Sequence, residues 1–347
     1  MADFDNRKPG FLRRFFSGIG SFLRGLRELL VNLIFLIFIL VILVSIFQKD
    51  VREIPNDIAL VINPTGVLVD QLSYVDPMAY LLKSESGVPQ ETLLRDVIDA
   101  IKAAADDKRI KAIVMQLGDL EYGGISKMQE IAEVLKTFKA SGKKVYIYGD
   151  SFTQDQYLLA AYADQIMLHP MGDVSLTGYG VYRNYFKDAL DKLEIDFHVF
   201  RVGEYKSAME PFLRNDMSPE DRQANLVWLN SLWGNYVNTI AAARNIKPEA
   251  IDRYINKVDE VLAEVKGNSA QAALNAGLIT AIKSREETHG FLLAEFGEDR
   301  DGGFRNIDFR DYLKTGVSPK TSPNKIGLIV ASGLIVDGDE PPGVVAG

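Results

Sequence analysis

Residues 201–212 read RVGEYKSAMEPF and set Lys206 between a tyrosine and a serine, just after an apolar, strand-like run. A free lysine, with a pKa near ~10.4, is protonated at neutral pH and takes no proton from a hydroxyl. Burial in a water-poor cleft disfavours the charged form, and a lysine point charge responds readily to it. A desolvated lysine then replaces histidine as the base for a hydroxyl nucleophile. On an open surface the same residue is only a solvated charge. Lys206 therefore raises two questions: whether it is dried, and which hydroxyl it would serve.

Other chemistry finds little support. There are three histidines, His169, His198 and His289, and none falls in H-E-x-x-H or beside a G-x-S-x-G elbow. His169, at a strand end, and His198, within a strand, read as ordinary sheet residues. The chain has no cysteine, which removes thiol nucleophiles, thiolate zinc sites and disulfides together. SGKK lacks the upstream glycine of a phosphate loop, TGYGVYRN lacks the third glycine of a dinucleotide turn, and DGDE (337–340) is too short for a calcium loop. No cofactor and no metal is expected. A net charge of −8 without a basic aromatic patch argues against nucleic acid.

Positioning elements follow from hydrophobic pattern. Of 347 residues, the stretch Leu29–Phe47 is free of charge and, as a helix, reaches roughly 28 Å, close to the hydrocarbon thickness of a bilayer. Arg7, Lys8, Arg13, Arg14, Arg24 and Arg27 precede it, whereas Lys49 and Arg52 behind it are balanced by Asp50, Glu53 and Asp57. The positive-inside rule then predicts an uncleaved anchor with a cytoplasmic N-terminus and the bulk of the chain across the membrane. Residues 1–28 form a basic cytoplasmic segment, and 10–28 are expected to lie as an amphipathic helix on the inner leaflet.

From residue 56 the pattern alternates. IALVI (58–62), GVLVD (66–70), AIVMQL (112–117), KVYIYG (144–149), QIMLHP and DFHVFRV (196–202) read as strands. ETLLRDVIDAIKAAADD (91–107), KMQEIAEVLKTFKASG, DQYLLAAYA, VYRNYFKDALDKLE (181–194) and SAQAALNAGLI read as helices, and Ser218 with Pro219 opens another. Short connections between alternating types predict a parallel sheet of βαβ units. One internal match stands out: NDIALVINPTGVLVD (56–70) is similar to NKIGLIVASGLIVD (324–337). It divides the chain into a domain over 56–322 and the start of a second repeat over 323–347 that breaks off after its first hairpin.

FHVFRVGEYKSAMEPFLRNDMSPEDR closely resembles the lysine-bearing segment of the bacterial signal peptide peptidase A (protease IV) family. LEYGG, YGDSFTQDQYLLAAYADQIMLHP, the anchor and the reopening at 324 extend the resemblance over residues 29–347. It implies a ClpP/crotonase-like repeated βαβ spiral behind one transmembrane helix, and a Ser/Lys-dyad serine peptidase of the inner membrane that degrades cleaved signal peptides. In the long form of that family the first half supplies the lysine and the second the serine. Lys206 then matches the general base. The nucleophile motif, similar to A-A-S-G-G-Y, aligns through Tyr157 so that Gln154 stands at the serine position, and an amide cannot attack as an alkoxide does. Gly123 and Gly124 match paired glycines that present N–H groups to an oxyanion, although a strand-to-helix turn alone accounts for them. Ser207 either orients the lysine amine or starts a helix. The implied partners are peptide substrates, lipid along Leu29–Phe47, and copies of the same chain carrying the serine half. A non-catalytic pseudo-peptidase scaffold, a crotonase-type enzyme binding coenzyme A, and a dyad of Ser151 or Ser126 with Lys206 remain alternatives.

Overall fold

The computed structural model describes residues 11–47, 54–73 and 90–317, with short pieces at 326–327, 335–336, 338 and 345–346. Two compact units result, Met1–Glu53 and Ile54–Gly347. The first is built on α1 (Phe11–Phe47), one uninterrupted helix. The separate amphipathic and membrane-spanning segments expected from charge are therefore continuous, since no proline intervenes to break the backbone ladder. Gly25–Leu43 has a mean hydropathy of 2.6, which fits a membrane anchor.

The second unit opens with β1 (Ile58–Ile62), buried throughout, and β2 (Gly66–Val69). β3 (Glu91–Leu93) leads directly into α2 (Leu94–Asp106), which buries Leu94, Val97, Ile98, Ala100, Ile101 and Ala104. β4 (Ile110–Gln116) and β5 (Leu120–Tyr122) precede α3 (Ile125–Ala140), and β6 (Lys144–Gly149) precedes α4 (Gln154–Ala160) and β7 (Gln165–Leu168). β1, β4, β6 and β7 form the centre of a six-stranded parallel sheet completed by β8 (Ala281–Ile282) and β9 (Asn306–Asp308), in the order β8-β7-β6-β4-β1-β9. β2, β3 and β5 form a second parallel sheet. Each turn of the chain lays one strand in the large sheet and the next in the small one: β1 then β2, β4 then β5. After β6 the chain makes an isolated parallel bridge, Phe152 to Val174, outside the named strands. This repeating strand-strand-helix turn is the ClpP/crotonase-like spiral.

Burial on both faces explains the near-continuous apolar runs of the central strands. One face carries the main core, where α2, α3 and α4 bring Phe138, Tyr157 and Leu159 against Leu60, Ile113 and Ile147. The other is covered by α11 (Arg285–Phe296), which packs Leu292 and Phe296 on Ala59, Ala112, Val114 and Tyr146. Small residues on β1 and β4 leave room for the Tyr146 ring, which meets Phe291 and Phe296 edge-on at 5.4 and 6.1 Å. α7 (Pro219–Arg244) starts as expected on Ser218 and ends at a left-handed Asn245. α8 (Pro248–Asn256), α9 (Val258–Glu264) and α10 (Ser269–Asn275) return the chain to the sheet, and α12 (Phe309–Lys314) follows β9.

The region around Lys206 departs from the expected elements. The helix over 181–194 contracts to α5 (Lys187–Lys192), and 196–202 form no strand. A strand needs a neighbouring ladder for its backbone groups, and no described strand lies beside this run. Phe200 is 99% and Val202 86% exposed, so the apolar alternation is real but faces water. His198 is accordingly an exposed irregular residue rather than a sheet residue. α6 (Glu210–Leu213) closes the segment. The repeat at 324–337 lies mostly outside the described residues; Ile335–Val336 pair in parallel with Val345–Ala346.

Candidate active site

Lys206 stands in the irregular stretch between α5 and α6, after Gly203 at φ 111°. Its carbonyl accepts from Arg201 Nη1 at 2.6 Å, and Tyr205 Oη donates to Gln223 Oε1 at 3.3 Å. Its side chain is exposed, and among the described residues no hydrogen bond or carboxylate engages the amine. The dry cleft that a catalytic lysine requires is thus not formed by these residues.

The segment is nonetheless anchored with care. Arg183 Nη1 donates to Ser207 Oγ (3.2 Å) and to Asp221 Oδ2 (3.1 Å). Asp221 is buried and also accepts from Asn225 Nδ2 at 3.1 Å, while its backbone N–H donates to the capping Ser218 Oγ. Glu210, buried as well, accepts from Ser218 N at 3.1 Å. Buried carboxylates persist only when paired or hydrogen-bonded, and here they tie the lysine segment to the start of α7. The Ser207 hydroxyl is engaged by Arg183, not by the lysine amine. Arg183 and Asp221 were not singled out from the sequence, although S-P-E-D at 218–221 carries a capping-box spacing that flags the aspartate.

Gly123 and Gly124 form the turn from β5 into α3. Gly124 has φ 71°, a left-handed backbone that favours glycine, and a Cβ on Gly123 would meet the movable tip of the Met128 side chain, with Cε at 2.2 Å. Gly123 N–H faces Asp155 Oδ2 at 3.5 Å. Gln154 opens α4 behind a capping box of Thr153 and Gln156. Its Oε1 accepts from Thr177 N (3.1 Å) and Gly178 N (2.8 Å), its Nε2 donates to Gly178 O (3.3 Å), and its carbonyl accepts from Tyr236 Oη (2.7 Å). Gln154 is a clamp on the 177–178 turn. Ser151 and Ser126 are both exposed, and neither hydrogen-bonds Lys206 in the described residues. No group of three or more potential metal ligands assembles among them.

Residues 137–292 match the model of peptidase family S49. The chain is 36% identical to Protease 4 of Salmonella typhi over 346 residues, covering 97% of this chain and 56% of that protein. It is 38% identical over 291 residues to Protease 4 of Haemophilus influenzae, covering 81% of this chain and 46% of that protein. The chain therefore spans about half the length of these curated relatives. Among solved structures, a membrane-bound stomatin-specific protease is similar at a TM-score of 0.36 and 14% identity, over 73% of this chain and 94% of that one.

Proposed function

We propose, from the premise that this chain carries a peptidase family S49 domain, that it is the lysine-bearing half of a membrane-anchored serine endopeptidase acting on apolar peptides such as cleaved signal peptides. The observation that carries the reading is the pairing of Lys206 with an incomplete surrounding. The lysine segment is fixed by Arg201, Arg183 and buried carboxylates, yet its amine and the neighbouring Phe200 and Val202 face water. A docked serine-bearing half would cover this apolar strip and dry the amine.

In the assembled site an unprotonated Lys206 accepts the proton of the serine hydroxyl as its oxygen adds to the scissile carbonyl. The resulting ammonium returns that proton to the leaving amine, and water then hydrolyses the acyl-enzyme with the lysine again as base. α1 holds the site near the membrane, with its basic N-terminal flank on the cytoplasmic side of an inner membrane. Gln154 keeps the turn that a nucleophile would occupy and has no part in bond making.

The test is a hydrolysis assay on the full-length product with an apolar quenched-fluorescence peptide. Lys206→Ala should abolish turnover while leaving the melting curve unchanged, because among the described residues the amine makes no hydrogen bond or ion pair. Retained turnover would refute the dyad. Gln154 at the nucleophile position also favours a second reading, a non-catalytic scaffold for a membrane complex. That reading requires that neither the wild-type protein nor its assemblies hydrolyse peptides or react with a fluorophosphonate.

A further inference from the structure

The C-terminal edge of the large sheet carries a second cluster, which shares no lining residue with Gly123, Gly124, Gln154 or Lys206. Strand register sets Gln116 beside Tyr148 and Tyr148 beside Met167. Two residues further on, side chains return to the same face. The ladder continues there, with His169 N donating to Gly149 O at 3.1 Å and Lys283 N to Leu168 O at 2.9 Å. Tyr148, His169 and Lys283 thereby line one cavity of about 400 Å³ between the sheet and α11, at the low end of the usual size for a small-molecule site. Ligands of parallel α/β sheets commonly sit at this edge.

The donors in this cavity are unmatched. Gln116 Nε2 donates to Tyr148 Oη at 2.6 Å, so the phenol's own hydrogen is left for another acceptor. Burial raises the pKa of that phenol and keeps the hydrogen in place. His169 Nδ1 accepts from Met171 N at 3.2 Å, which puts the neutral ring's proton on Nε2. The half-buried Lys283 ammonium lies 5.9 Å from the Phe291 ring centroid and, among the described residues, donates no side-chain hydrogen bond; the Glu287 carboxylate feels its charge without pairing with it. Asp150, also at the cavity, is already neutralised by Arg285, whose Nε donates to it at 3.1 Å. The remaining carboxylate, Asp119, is exposed at the rim. Met167, Leu292 and Phe304 supply an apolar wall.

We propose that this cavity binds a small molecule bearing one carboxylate on an apolar body. The carboxylate sits on Lys283 with Tyr148 and His169, and the body lies against Met167, Leu292 and Phe304. Two sources share that chemistry, the C-terminal end of a short apolar peptide and a medium-length acyl chain. The inference stands independently of the Ser/Lys reading.

Calorimetric titration of the full chain in a non-ionic detergent tests it, with N-acetyl-leucine, octanoate and N-acetyl-leucine amide as probes. A dozen or so heavy atoms at ordinary ligand efficiency give a Kd of about 1 mM for a carboxylate that fits. Loss of one charge-assisted hydrogen bond predicts about 10-fold or weaker binding for Lys283→Gln, and several-fold weaker for Tyr148→Phe, with Lys283→Arg retaining affinity. Binding of N-acetyl-leucine alone assigns the site to peptide ends, and of octanoate alone to acyl chains; either supports the proposal. It is overturned if neither carboxylate binds, if the amide binds as well as the acid, or if Lys283→Gln, with an unchanged melting curve, leaves affinity intact.

Discussion

Gln154→Ala separates a structural glutamine from a catalytic position. The substitution removes three side-chain hydrogen bonds to residues 177 and 178, at 2.8, 3.1 and 3.3 Å. Each is worth about 0.5–1.5 kcal/mol net. Thr177 is exposed, so water replaces that contact cheaply, whereas Gly178 is half-buried. The sum is then near the low end, about 2 kcal/mol. In a domain of this size each kcal/mol moves the melting temperature by about 2–4 °C, so a fall of about 4–8 °C is expected. Circular dichroism melts of the purified chain measure it, and hydrolysis by the full-length product, assayed well below the melting range, should stay within about twofold of wild type. An unchanged melting temperature would refute the clamp. A folded variant without activity would show that position 154 takes part in the chemistry.

Two further perturbations test the frame. The pKa of Asp107 is lowered to about 2, chiefly by hydrogen bonds from the Arg109 side chain, with added bonds from the Arg109 backbone and the Tyr312 phenol. A depressed carboxylate stabilises the fold above its unfolded value near 3.8, and that contribution is lost as pH falls towards 2. Asp107→Asn should therefore cost up to about 2 kcal/mol at pH 7, with the gap to wild type closing between about pH 4 and 2 in urea melts; a pH-independent gap would contradict the assignment. Tyr157 Oη donates to Leu278 O at 2.6 Å in the core. Tyr157→Phe leaves that carbonyl without its partner and should cost about 1–3 kcal/mol in chemical denaturation.

Much of this protein is legible along the chain. The charge-free run before residue 47 marks the long apolar helix, and the continuous apolar runs at 58–62 and 112–116 mark strands buried on both faces, because local pattern reports which side chains must leave water. Ser218 and Pro219 announce α7 for an equally local reason, the unsatisfied N–H groups of a helix start. The amide at position 154 is legible too, since Gln154 offers no hydroxyl wherever it folds. Tertiary structure alone decided the rest. That Gln154 reaches across to 177–178 and that Arg183 joins Ser207 to Asp221 depend on how the chain folds back on itself, and that Lys283 shares one cavity with Tyr148 and His169, more than a hundred positions earlier, depends on strand order and register. The run at 196–202 shows the converse. Its alternation is that of a strand, but a strand is completed by a neighbour, and the described residues do not supply that edge. Exposure of Lys206 has the same origin, because drying an amine is a property of what packs over it and not of the residues beside it in sequence.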